Sequence, residues 1–292
     1  MKFLSTSLVS LLMAAAVGGT DSTADTRQEL VGPYLGQTPP GMIPETFAPG
    51  VISTSGWEYG VTFAPGMKEL YWLREVNTDT EPKREFVVYE QKGDTWHQRV
   101  IGPRRGTPTL STDGNIMFFG RSYKQRTDGG WSEPKRLGPD FEDIRIMRVT
   151  ASDKGTYVFD EAKEDSVLRY SGLVDGVREA PKPLPEEINT GTWNAHPFIA
   201  PDESYIIWDG HRGDNVRDAD IYISFKQPDG SWGAAMKFGD AINTPVNEFA
   251  ASVTPDGKYM FFNRNMGPGN SADNVDTFWV STEVIEELRP KN

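Results

Sequence analysis

Residues 252–262, SVTPDGKYMFF, decide how the chain is read. Val253 and the run from Tyr259 to Phe262 are β-formers on either side of Pro255, Asp256 and Gly257. Gly supplies the positive φ that a tight turn needs, so the stretch predicts a strand, a turn and a returning strand. The same pattern recurs as FAPGMKELYW (63–72), LSTDGNIMFF (110–119), TASDKGTYVF (150–159) and IAPDESYIIW (199–208). Aligned on Pro65, Thr112, Ser152, Pro201 and Pro255, the repeats are 47, 40, 49 and 54 residues apart. Short-stranded repeats at this period predict an all-β fold, a β-propeller, because no single blade can bury both its faces without neighbours.

Within each repeat an inner strand and its partner precede a third strand: residues 85–91 (EFVVYEQ), 123–127 (YKQRT), 166–172 (SVLRYSG), 220–226 (DIYISFK) and 276–281 (DTFWVS). A polar turn follows, carrying Trp96, Trp131 or Trp232 in three repeats, where an aromatic plug between blades is expected. The count is five blades; a sixth is admitted only if the lead-in or the long fourth and fifth loops hide a degenerate repeat. Residues 45–53 (ETFAPGVIS) match the strands that close the later repeats, yet precede the first one. They are predicted to complete the last blade and so close the ring. The extended, Pro- and Gly-rich lead-in of residues 20–44 is expected to be dispensable up to Gly41, and residues 45–292 to form one propeller domain.

Lys2, the apolar run of residues 8–17 and the small residues Gly18 and Gly19 have the anatomy of a signal peptide over residues 1–19. A periplasmic or secreted location is expected. No later apolar run is long enough for a transmembrane segment. With no cysteine, disulfides and thiolate-ligated metals are excluded. A net charge of −12 and a pI near 4.8 argue against nucleic acid as a partner. A monomer is expected.

The Pro-Asp-Gly hairpins, the DIYIS and DTFWVS strands, and YLGQTPPG (34–41) with FAPG (47–50) resemble the TolB-like proteins with WD-like "PD" propeller repeats, which many Gram-negative bacteria export. The resemblance covers nearly the whole mature chain. It implies the fold and an exported protein; binding proteins, peptidase domains and enzymes all carry this repeat. Gly66, Lys154 and Glu203 depart from its turn pattern.

Loops leading into the inner strands meet at one mouth of a propeller's channel. Seven residues before the anchors stand Glu58, Arg105, Arg145, Asn194 and Glu248, preceded by two tryptophans, Trp57 and Trp193. Ring closure is expected to place Glu58 beside Glu248 and oppose them to Arg105 and Arg145, as a site for a small polar ligand, a glycan or a protein partner. The alternative is a polar rim that only meets water. Two functions remain open: an exported binding module, and a glycoside hydrolase-like enzyme in which Glu58 and Glu248 are the paired carboxylates. His196, on the inner strand of Asn194, is a third candidate catalytic group. No GxSxG or HExxH motif is present. No cofactor is expected, although the oxygen-rich loops around Asp214, Asp218 and Asp220, and around Asp273 and Asp276, are weak Ca²⁺ candidates. Such loops are more often only turns.

Overall fold

A computed structural model describes residues 29–78, 81–212 and 218–291. The leader at residues 1–19 and the calcium candidate Asp214 lie outside the described residues. The described chain winds into five antiparallel blades of four strands each, blade 2 carrying a further short strand, Gly130–Trp131. Blade 1 holds Glu58–Phe63, Glu69–Val76, Lys83–Lys92 and Thr95–Pro103. Blade 2 holds Pro108–Leu110, Ile116–Phe119, Ser122–Thr127 and Lys135–Arg136. Blade 3 holds Val149–Ala151, Tyr157–Glu161, Val167–Ser171 and Lys182–Pro183, and blade 4 Trp193–Ile199, Tyr205–His211, Asp220–Phe225 and Met236–Lys237.

Blade 5 closes the ring as the sequence predicts. It supplies only Glu248–Val253, Tyr259–Gly267 and Ser271–Ser281, and its outer strand is the N-terminal Glu45–Thr46, with Glu45 opposite Trp279 and Thr46 opposite Phe278. The next residue, Phe47, is wholly buried between Phe63 of blade 1 and Phe261 and Trp279 of blade 5.

The lead-in is not separate from the propeller. Tyr34 and Leu35 are buried in the same aromatic seam, the Tyr34 hydroxyl donates to Asp256 in the blade 5 turn, and Trp96 Nε1 donates to the Gly32 carbonyl at 2.7 Å. Removing residues up to Gly41 would therefore open a core. Trp131 lies edge-on to Tyr71 of blade 1, in the inter-blade role expected of it.

The hairpin turns share one closure. Gly257, at φ 73°, donates its N–H to the Thr254 carbonyl at 2.8 Å, and Met67, Gly114, Gly155 and Glu203 make the matching bonds. Glu203 holds φ 65° without being glycine. Its carboxylate accepts from Ser152 Oγ at 2.8 Å and pairs with Lys226 and Lys154 at 3.1 and 3.3 Å, riveting blade 4 to blade 3. Burial pushes that carboxyl up, but bonds from Thr156, Ser152 and Lys226 win and hold it at about 2.

Blade 3 differs by one residue. The turn's first N–H bonds the carbonyl five residues on in blades 1, 2, 4 and 5, as Thr254 does to Tyr259, whereas Ser152 bonds Thr156, only four on. Counting back from these closing residues moves blade 3 by one position relative to the sequence alignment.

Candidate functional site

Registered on the closing residues Ala64, Ser111, Ser152, Ala200 and Thr254, the outermost inner-strand ring is Trp57, Arg104, Arg145, Trp193 and Asn247. The ring one step inward is Glu58, Arg105, Ile146, Asn194 and Glu248. Arg145 thus stands level with the two tryptophans.

The inner carboxylates turn away from the mouth. Glu58 accepts from Thr54 Oγ1 at 2.5 Å and Thr54 N–H at 3.2 Å; Glu248 accepts from Thr244 Oγ1 at 2.5 Å and Thr244 N–H at 3.0 Å. Each closes its own loop through a Thr-x-x-x-Glu spacing. Both are buried, and Glu248 also binds Arg264 of its own blade at 2.8 Å. Burial raises both carboxyls, Glu248 to about 7, and the acidic neighbour adding to the rise at Glu58 is Asp276. Asn194 is buried too, its Oδ1 accepting from Trp208 Nε1 and Arg212 Nη2. Arg105 and Arg145 are exposed, and neither side chain forms a hydrogen bond or ion pair among the described residues.

Deeper in, the channel is crossed by a buried polar septum that sequence reasoning passed over. Gly60, His196 and Ala250 occupy equivalent bulge positions at φ 71°, 46° and 55°. Each donates its N–H to the second strand of the preceding blade: Gly60 to Asn263, His196 to Asp160 and Ala250 to Asp209, at 3.3, 3.0 and 2.9 Å. These bonds offset the cost of left-handed backbone at His196 and Ala250. Asp209, fully buried, also faces His196 Nδ1, with both carboxylate oxygens at 3.1 Å. Burial depresses the His196 imidazole, but the charge and hydrogen bond of Asp209, helped by Asp160 and opposed by Arg148, raise it overall. Arg148 occupies blade 3's equivalent of the His196 position. Its Nη1 donates to the carbonyls of His196 at 3.2 Å and Ala251 at 2.9 Å.

Above the septum runs a continuous arc of rings from blades 1, 5 and 4. Trp57 stacks on Tyr59 and Tyr59 on Phe249, with centroids 5.4 and 5.7 Å apart; His196 meets Tyr59, Phe249 and Trp193; Trp193 stacks on His211 at 4.9 Å. Trp193, His196, His211 and Phe249 are half-buried. Arg84 and Arg104 lie over the Trp57 ring, 4.1 and 5.1 Å from its centroid. The rings come from blades 1, 5 and 4 with Arg84 and Arg104 over the Trp57 end, Arg105 lines a groove between blades 1 and 2 with Phe86 and Trp131, and Glu58 and Glu248 are held by threonines of their own loops. Sheets of rings with half-open faces can stack planar or sugar surfaces, and unpaired guanidinium groups can take carboxylates.

Of the calcium candidates, Asp220 pairs with Lys237 at 2.7 Å and Asp273 is exposed. Asp218 and Asp276 each keep one buried oxygen without a partner, and burial raises both carboxyls. Among the described residues no three His, Asp or Glu side chains converge as metal ligands.

No family model and no curated protein matches the sequence. Solved structures do. TolB from Acinetobacter baumannii is 12% identical over 76% of this chain and 54% of its own, with a TM-score of 0.46. The chain is a five-bladed β-propeller. It spans about half the length of TolB. The catalytic domain of a GH62 α-L-arabinofuranosidase from Coprinopsis cinerea is 8% identical, covering 83% of this chain and 97% of its own, at a TM-score of 0.48. A gluconolactonase from Xanthomonas campestris is 10% identical over 85% and 96%, also at 0.48. Likeness at this level is one of fold and transfers neither ligand nor activity.

Proposed function

We propose that the protein is an exported, monomeric binding propeller that holds an acidic glycan at the loop end of its channel. The observation that carries this reading is the half-open ring arc of Trp193, His196 and Phe249, with Arg104 over the Trp57 and Tyr59 end of the arc and the exposed, unpaired Arg145 at the register of the two tryptophans. Aromatic faces stack the apolar faces of sugars, and guanidinium groups engage uronic carboxylates through two hydrogen bonds. The glycoside hydrolase alternative has less support, because Glu58 and Glu248 are each held by a threonine of their own loop. Titration calorimetry with oligogalacturonate tests the reading. Trp193→Ala and Arg145→Ala should each weaken binding at least ~10-fold, about 1.4 kcal/mol. Because the raised His196 adds positive charge when protonated, wild-type affinity should fall as pH rises through the raised His196 value of the free protein and on to the still higher value of the complex. Wild-type affinity in these variants, or equal affinity for a neutral xylo-oligosaccharide, would remove the mouth from consideration.

Export rests on Lys2 and the apolar run of residues 8–17. Among the described residues no helix is long and apolar enough to cross a membrane. Mass spectrometry of protein from its native host should find a mature N-terminus between Ala15 and Asp21. An intact Met1 in the cytoplasmic fraction would count against export.

A further inference from the structure

Below the septum the channel widens into a second chamber of about 320 Å³, walled by the turn-side halves of all five inner strands. Its wall repeats a hydroxyl. Counted from the closing residues, Thr62, Thr109, Thr150 and Ser252 are equivalent, with Phe198 in blade 4. Thr62, Thr109 and Thr150 each donate to a carbonyl of the next blade, those of Pro108, Val149 and Pro197. These three hydroxyls are therefore structural donors, and Thr150 Oγ1 also accepts the Ile199 N–H at 3.2 Å. Between them the wall is largely apolar, from Val61, Leu110, Ile199 and Val253, with Asp153 the one carboxylate among the lining residues.

The septum end is different. Arg148 lines the chamber while only 3% exposed. Both its hydrogen bonds leave from Nη1, and Nε is buried with no partner among the described residues. No carboxylate lies within ion-pair distance of it there. Asp160 and Asp209 are near enough to be felt, but their oxygens already serve backbone N–H groups and His196. A guanidinium stays charged in a protein, and a buried charge whose direct hydrogen bonds go only to carbonyls is costly.

We infer that this turn-side chamber is a binding site, distinct from the mouth, for a small organic carboxylate whose acid group sits on Arg148 and whose compact body fills the apolar wall. A carboxylate is favoured over a larger anion because the volume is at the small end of ligand pockets and most of the wall offers no donors. Arg148 supplies the charge, and with Nη1 committed to two carbonyls its Nη2 is left to donate to a carboxylate oxygen.

Benzoate is the probe, with benzyl alcohol as its neutral counterpart and inorganic phosphate as the competing anion. Calorimetry on the full chain should give saturable benzoate binding at one site, at least ~10-fold tighter than benzyl alcohol, in keeping with a charge-assisted hydrogen bond. Arg148→Met should abolish it. Ala151→Leu, which fills the chamber and leaves Arg148 in place, should also abolish it, so the idea stays testable if the arginine variant fails to fold. Trp193→Ala at the mouth should leave benzoate binding unchanged, which separates this site from the glycan site. No benzoate binding, binding that survives Ala151→Leu, or phosphate binding in its place would overturn the assignment.

Discussion

Cutting the chain back through Ser53 should abolish cooperative unfolding. The loss removes Glu45–Thr46 from the outer edge of blade 5 and strips Phe47 and Ile52, both wholly buried, from the seam between blades 5 and 1. The bared Ser271–Ser281 strand would then present free N–H and carbonyl groups, a template for aggregation. A truncation ending at Gly41 should be milder yet clearly destabilised, because Tyr34 and Leu35 go with it. The point variant Phe47→Ala isolates the packing from the strand pairing. It deletes a ring in edge contact with Phe63, Phe261 and Trp279, and should cost about 3–5 kcal/mol in denaturant unfolding. A wild-type midpoint for Phe47→Ala would mean that the seam carries little of the stability.

That closure was legible because its signals are local: a strand-like segment with no repeat of its own, and a last repeat lacking an outer strand. The turns were legible for the same reason. The site was legible only in part. Trp57, Trp193 and His196 can be found by counting back from the turns, and the rings do converge there. Arg145 is displaced by one position because the blade 3 turn is a residue shorter, a change whose only trace is that glycine falls at 155 rather than 154. Glu58 and Glu248 are polar residues at the right count whose side chains close loops, and the trace of that is a threonine four residues earlier in TSGWE and TPVNE. Asp160, Asp209 and Asn263 interrupt otherwise apolar second strands at one shared position. An acid within a strand of that composition signals a buried contact between blades, and that signal stood in the sequence unread. Arg148 left no such mark. Its importance lies in what surrounds it in three dimensions, the carbonyls of blades 4 and 5, and no count along the chain brings those together.

Asp209 is where stability and the mouth's chemistry meet, so its substitution should have the largest single effect near the channel. Asp209→Ala leaves the Ala250 N–H buried without an acceptor and removes the anion beside His196, and should cost about 3–5 kcal/mol. Asp209→Asn keeps the volume and an acceptor and changes chiefly the charge. The imidazole is then left with burial and Arg148, both of which push it down, against Asp160 alone. Its pKa should drop well below the wild-type value when followed by NMR titration of the ring protons. The linkage has a definite sign. A histidine whose folded pKa is raised contributes stability that is fully present below its unfolded value near 6.5 and is lost as pH rises through the folded value. The stability gap between wild type and Asp209→Asn should therefore be widest in mild acid and shrink on the alkaline side of the folded His196 pKa. Denaturant unfolding at a series of pH values across that range measures it. A gap that does not change with pH, together with an unshifted His196 titration, would mean that Asp209 serves only the Ala250 bulge and has no part in setting the charge at the mouth.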